Sequence, residues 1–161
     1  EPFDLSRAVV AAAGELEAVT AGHELTVDVE PVTVVGARDD LHRVALNLMD
    51  NAIKHTPPGT HVHARLRRDG DEAVLEVVDD GPGIPPELRE RIFERFVRGG
   101  GEVAGSSGLG LAIVRAVAQS HGGEVTVTDG PDGRGARFVV RIPAATQVPR
   151  PAPEAAPAAR S

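Results

Sequence analysis

LHRVALNLMDNAIKHTP, residues 41–57, is helical by pattern. Leu41, Val44, Ala45, Leu48, Met49, Ala52 and Ile53 recur at the three- and four-residue spacing of one buried helix face. Asn47, Asn51 and Lys54 follow the same spacing and share a second face that borders this apolar stripe. Lys54 is the sole lysine of the chain; every other long basic residue is arginine. Two amides and one ammonium at the edge of a core suit a bound metal and phosphate. Amide oxygens can complete a hydrated Mg²⁺ shell, and lysine pairs with phosphate as a point charge. On these residues alone, an ordinary solvated helix face is an equally open reading.

Composition narrows the classes around this helix. A chain of 161 residues is the size of one domain. Aromatics make up only 2% of it, so a core must be built from Leu, Val, Ile and Ala. A net charge of −7 argues against a nucleic-acid or anionic-membrane partner. The absence of cysteine excludes disulfides, thiolate metal sites and cysteine nucleophiles. No apolar run approaches the roughly 18–20 residues needed to span a bilayer. No signal peptide is visible, so this segment is expected not to insert into a membrane. From Ala144 onward Pro and Ala dominate without period. A domain over 1–143 followed by a disordered tail over 144–161 is expected.

Upstream of the helix, Asp4 or Ser6 can cap a first helix over about Leu5–Ala21, with Gly22 as its stop. Glu24–Glu30 and Val32–Val35 read as strands, and the asparagine helix spans about Asp39–His55 before Pro57-Pro58-Gly59. Downstream, Thr60–Arg68 and Ala73–Asp79 read as a hairpin around Asp69-Gly70-Asp71. A short helix over about Pro86–Phe93 and a longer one over Gly108–His121 follow. Glu124–Thr128 and Ala136–Ile142 are the last strands. Helices and strands mix without βαβ alternation, which favours a sheet layered with helices over a doubly wound fold.

Three further segments carry chemistry. Asp79-x-Gly81-x-Gly83 sits at a strand end, where a carboxylate can accept from an exocyclic amine and glycines let backbone approach a planar ring; an ordinary Asp/Gly turn is the bland alternative. Gly105-Ser-Ser-Gly108-Leu109-Gly110-Leu111 opens a helix, whose N-terminal N–H groups form an anion site; a helix cap with a linker is the alternative. The full G-x-G-x-x-G is absent and the segment follows a loop, against a dinucleotide fold, and no G-x-x-x-x-G-K-[ST] exists. Phe93-Glu94-Arg95-Phe96 holds two of the four phenylalanines. It can anchor a mobile glycine-rich lid over about Val97–Ser107, from which Arg95 or Arg98 reaches a phosphate.

Among the histidines, His61 and His63 share a strand face but lack a third metal ligand placed by sequence. His23, at a helix–strand junction, is a poor phospho-acceptor. His55 lies beside the proposed site, and His121, at a helix end, would suit the macrodipole if charged.

The order N-x-x-x-N-A-x-K-H-T-P, D-x-G-x-G-I, F-E-R-F, G-x-G-L-A-I-V and H-G-G closely resembles the catalytic and ATP-binding domain of bacterial sensor histidine kinases. That domain belongs to the superfamily shared with gyrase, the large heat-shock chaperone and mismatch-repair ATPases. The resemblance covers about Phe3 to Pro143. It implies the Bergerat fold, a two-layer α/β sandwich with a mixed sheet and helices on one face. It also implies ATP and Mg²⁺ as ligands. Asn51 would ligate the metal, Asn47 would support metal and phosphates, and Lys54 would contact phosphate. Asp79 would bind the adenine amine in a pocket shaped by Gly81, Gly83 and Ile84 and flanked by His55. Arg98 matches the arginine after the phenylalanine box; with Asn47 and Lys54 it forms the implied catalytic set. Phe96, Gly108, Leu109, Gly110 and Leu111 complete the implied nucleotide lining.

Two departures stand out: many relatives carry tyrosine in place of His55, and the lid between Arg98 and Gly105 is short. The histidine-bearing dimerisation domain that precedes this domain in sensor kinases is not in the sequence. The resemblance therefore implies a cytoplasmic domain of a membrane-anchored kinase. Its partners would be ATP, that dimerisation domain and a response regulator. Alternatives are a stand-alone anti-sigma-factor serine kinase, which usually lacks a clear phenylalanine box, and a gyrase- or chaperone-type ATPase. The ATPases carry a general-base glutamate where this chain has Asn47. A degenerate partner-binding module is opposed by the intact Asn51, Lys54 and Asp79.

Overall fold

The computed structural model describes residues 2–16, 22–94 and 110–145. The chain enters through strand β1 (Pro2–Asp4) and helix α1 (Leu5–Glu15). Asp4 caps α1, its Oδ1 accepting from the Ser6 N–H at 3.0 Å and the Ser6 hydroxyl at 2.8 Å. β1 was not expected from the sequence. It pairs antiparallel with β3 (Thr33–Val35), Phe3 facing Val34, and this small ribbon lies apart from the main sheet. α1 ends earlier than expected, with Gly14 in its last turn, where glycine's backbone entropy opposes the helix.

The main sheet has the order β2-β4-β5-β7-β6. Its strands are β2 (Glu24–Val29), β4 (His61–Asp69), β5 (Glu72–Asp79), β6 (Glu124–Asp129) and β7 (Ala136–Pro143). β2 and β4 run parallel, and the other neighbours are antiparallel, so the sheet is mixed as expected. Helices α1, α2 (Arg38–Lys54) and α3 (Gly110–Ser120) supply the second layer. α2 packs against both other helices and crosses β4 and β5. Its buried residues are the seven of the apolar stripe.

Side-chain alternation along β5 sends Ala73, Leu75 and Val77 into the core beneath the helices. Val74 and Glu76 point to the opposite face. There Glu76 pairs with Arg67 at 3.5 Å, and Arg141 reaches Glu72 at 3.1 Å. Arginine stems thus cover an open sheet face on which Val74 is fully buried. The backbone N–H groups of Ala144 and Ala145 bond to Asp71 and Thr33, tying the chain down past β7.

The short helix expected over Pro86–Phe93 is instead two 3₁₀ turns, Pro86–Leu88 and Arg91–Phe93. The segment is too short to sustain an α-helix by itself. His121 also makes contacts beyond its own helix. Its Nε2 accepts the Ala37 N–H at 3.1 Å, and its Nδ1 lies 2.8 Å from the Val117 carbonyl. With Nε2 accepting from Ala37, a proton on Nδ1 faces the Val117 carbonyl. His121 therefore satisfies the N–H of the N-cap residue, the part a third-position glutamate plays in a capping box, while Ala37 itself offers no side-chain cap. A Cβ at Gly36 would overlap the same ring. His121→Ala is expected to lower stability by about 1 kcal/mol, the worth of a lost cap. Urea denaturation reads this directly, and an unchanged midpoint would contradict the capping role.

Candidate functional site

Asp79 is the last residue of β5 and continues the inward set Ala73, Leu75, Val77. Strand alternation thus buries a carboxylate at 5% exposure. Its Oδ1 accepts from the Gly81 N–H at 2.9 Å and the Ala136 N–H at 3.4 Å. No hydrogen bond engages Oδ2 among the described residues. Burial raises the Asp79 pKa above the ordinary carboxylate value. The bonds from Gly81 and Ala136 pull it back, and the Asp80 charge pushes it up.

The loop after Asp79 is seated by close backbone approach. A Cβ on Gly81 would stand 2.7 Å from the Thr56 methyl. Gly83 has φ +83, and a Cβ there would stand 2.9 Å from the Gly135 carbonyl oxygen. Gly135, with φ +73, lies so near the Asp79 carbonyl that a Cβ would overlap it. The turn between β6 and β7 is therefore a wall of the site. The sequence reading missed this because Gly130, Gly133 and Gly135 look like ordinary turn glycines.

α2 forms the opposite wall. At its C-terminal end, the Thr56 hydroxyl donates to the Ala52 carbonyl at 2.6 Å, so its oxygen can accept from His23 Nε2 at 3.0 Å. About 13 Å back along the helix axis, the Asn47 amide donates from Nδ2 to the Gly110 carbonyl at 3.3 Å. Asn47 thus joins α2 to the start of α3 and keeps Oδ1 for another partner. The Asn51 side chain makes no hydrogen bond among the described residues. Lys54 lies 3.3 Å from Asp50, a half-exposed helix pair worth only a few tenths of a kcal/mol and easily exchanged. His55 sits at the rim. Much of it is exposed, yet neighbouring atoms still desolvate the ring and lower its pKa, with Asp50 opposing and Lys54 reinforcing.

Ile84 and Leu111 are partly buried against the core. Phe93 is buried, meets Phe138 edge-on at 6.1 Å between centroids, and carries the Arg115 guanidinium 6.0 Å from its ring centre. Phe96, Arg98, Gly108 and Leu109 lie outside the described residues. Asn47, Asn51 and Lys54 lie on α2 and His55 just past its end, Asp79 ends β5, Gly81, Gly83 and Ile84 follow in the next loop, and Gly110 and Leu111 begin α3. His61 and His63 stack at 6.3 Å on the open sheet face, opposite the helices. Among the described residues no group of three His, Cys, Asp or Glu side chains could hold a metal. No described helix is long and apolar enough to cross a membrane.

A profile of the histidine kinase-, DNA gyrase B- and HSP90-like ATPase family matches residues 36–146, and the chain belongs to that family. Within it, the probable sensor histidine kinase TcrY of Mycobacterium tuberculosis is 44% identical over 147 residues, covering 88% of this chain and 30% of its own length. The mycobacterial sensor histidine kinase MprB superposes with a TM-score of 0.81 at 37% identity, covering 89% of this chain and 98% of that one. Full-length ShkA in complex with AMPPNP superposes with a TM-score of 0.77 at 32% identity, covering 89% of this chain and 31% of that one. The chain thus spans under a third of TcrY's length.

Asp79→Asn isolates the cost of burying the charge. A pKa raised in the fold means that the native state binds the proton more tightly than the unfolded chain does. The stability from that proton is complete below 3.8 and is lost as pH rises through the folded value. Asparagine keeps Oδ1 as acceptor and never ionises. The variant is expected to melt at or above wild type at neutral pH, with an advantage that shrinks on acidification. Thermal melts across the acidic range check this; an advantage that grows on acidification would show that the carboxylate is stabilised, not strained. Gly135→Ala is expected to cost roughly 1–3 kcal/mol, because it combines left-handed backbone with overlap at Asp79. Denaturant titration measures it, and a neutral substitution would mean that the turn is not packed on the loop.

Proposed function

We propose that this chain is the ATP-binding catalytic domain of a bacterial two-component sensor histidine kinase. It transfers the γ-phosphate of ATP to a histidine on a separate dimerisation domain, which passes it to a response regulator. The carrying observation is a buried, half-committed carboxylate at the end of β5, beside the C-terminal end of α2, whose polar side bears the ammonium of Lys54 and the amides of Asn51 and Asn47. Asp79 Oδ2 accepts the adenine amine. Gly81, Gly83 and Ile84 line the base, and His55 flanks it. Lys54 exchanges Asp50 for a phosphate. Asn51 would hold Mg²⁺, a hard cation suited to amide oxygens, with Asn47 supporting metal and phosphates, and the ion would supply charge neutralisation at the phosphates. Arg98, Phe96, Gly108, Leu109, Gly110 and Leu111 complete the nucleotide site. The domain extends over 1–143 and faces the cytoplasm in a membrane-anchored kinase.

Positioning dominates phosphoryl transfer, so an acceptor histidine must be brought in line with the γ-phosphate. The protein's part in that step is to hold the triphosphate rigid. Asn47 has no usable basicity, so general-base assistance to water, typically ~10²–10⁴-fold, is missing. ATP is then preserved until a histidine docks. The identity with sensor kinases and the amide at Asn47 both favour this over an ATPase reading.

Calorimetry is expected to show that Asp79→Asn weakens Mg·ATP binding roughly tenfold or more, because an amide opposes the adenine amine with another donor. Wild-type affinity in that variant would remove Asp79 from the site. With radiolabelled ATP, this 161-residue chain alone is expected to gain no phosphohistidine and to hydrolyse ATP very slowly. It should label a separately supplied dimerisation domain. Brisk hydrolysis by the chain alone would favour the ATPase alternative.

A further inference from the structure

We infer that Arg89 is a positioning residue for base recognition, clamping the far end of the Asp79–Ile84 loop to Asp129 at the end of β6. Its Nε donates to the Ile84 carbonyl at 3.1 Å, and its Nη2 donates to Asp129 Oδ1 at 2.6 Å. One planar guanidinium makes both bonds, so the loop and the strand end are held at a fixed separation. The near end of the loop is secured separately, by the Gly81 N–H on Asp79. The far end, Pro82-Gly83-Ile84-Pro85, has two prolines without N–H and a glycine at φ +83, so it has little means of holding itself.

Asp129 leads into the turn that already touches Asp79. The Gly130 N–H bonds to the Gly135 carbonyl at 3.1 Å, and Ala136 donates to Asp79 Oδ1. Arg89 closes this frame from the other side. The Arg89 side chain is 23% exposed and Asp129 61%, so the pair itself adds little to global stability. Its effect falls on where the loop stands relative to the base. Neither residue belongs to the nucleotide-contacting set proposed above.

The inference rests on Asp79 accepting the adenine amine, and the test separates the two. Dissociation constants for Mg·ATP and for Mg·inosine triphosphate, which lacks that amine, are measured by calorimetry. The proteins are the wild-type chain, Arg89→Ala, Arg89→Lys, Asp129→Ala and the double alanine variant. Arg89→Ala is expected to lose ATP affinity roughly tenfold, the scale of a charge-assisted hydrogen bond. Inosine triphosphate affinity should stay nearly constant, so the preference for ATP collapses. Asp129→Ala should act in the same direction, the double variant should be no worse than Arg89→Ala, and lysine should restore only part of the preference. A wild-type ratio in both Arg89→Ala and Asp129→Ala would overturn the inference while leaving Asp79 in place. A wild-type chain with no preference for ATP would overturn the Asp79 assignment and this inference with it. Asp129 is exposed, so its variant keeps the test available even if Arg89→Ala folds poorly.

Discussion

A carboxylate at 5% exposure must be held by something other than water. Asp79 reaches that position because β5 alternates, and its inward set runs Ala73, Leu75, Val77, Asp79. A slip of one residue in the pairing with β4 or β7 would turn the acid to the open face. The register is pinned by the apolar residues on the core side and by the Glu76–Arg67 and Arg141–Glu72 pairs on the other. The same sheet brings Ala136 beside Asp79, so one strand supplies the acid and its neighbour supplies an N–H to hold it. Among the described residues only one oxygen is used in this way. The penalty of burial, visible in the raised pKa, is borne by a group that still has an acceptor to offer.

α2 is the second half of the arrangement, and it works because its two faces do different things. Its apolar stripe locks it between α1, α3 and the sheet, which fixes the azimuth of the adjoining polar face. Asn47 spends one amide hydrogen on Gly110 and so ties the start of α3 to the same helix. Thr56, just past the helix end, touches Gly81 and receives His23. The polar groups are held by packing, and the weakest hold is on Lys54, which is itself exposed and whose pairing with half-buried Asp50 is the easiest to exchange for another anion.

Much of this was legible because it is local. The seven stripe residues of α2, the hairpin at Gly70 and the strand end at Asp79 follow from spacing and turn chemistry within a few residues. What escaped was made by contacts distant in sequence. β1 exists because β3 pairs with it, not through any propensity of Pro2–Asp4. The 3₁₀ turns replace a helix in a segment whose Arg89 bonds to Ile84 behind it and Asp129 across the sheet. His121 reaches from α3 to the start of α2 because Ala37, more than eighty residues earlier, offers it an N–H. The glycines of the β6–β7 turn carried a turn signal, and only the fold shows that Gly135 presses on Asp79 and the loop that follows it.

The central claim is that the free oxygen of Asp79 accepts the amine of a bound adenine. Carboxyl-carbon NMR of Asp79 followed through a pH titration tests it without any substitution. In the free protein the midpoint should lie above 3.8, the direction that burial imposes. Binding a non-hydrolysable ATP analogue places a donor on the ionised form, so the midpoint should fall. The inosine analogue, carrying the same phosphates and no amine, should not lower it. A midpoint that ignores the adenine nucleotide, or falls equally with the inosine one, would contradict the account.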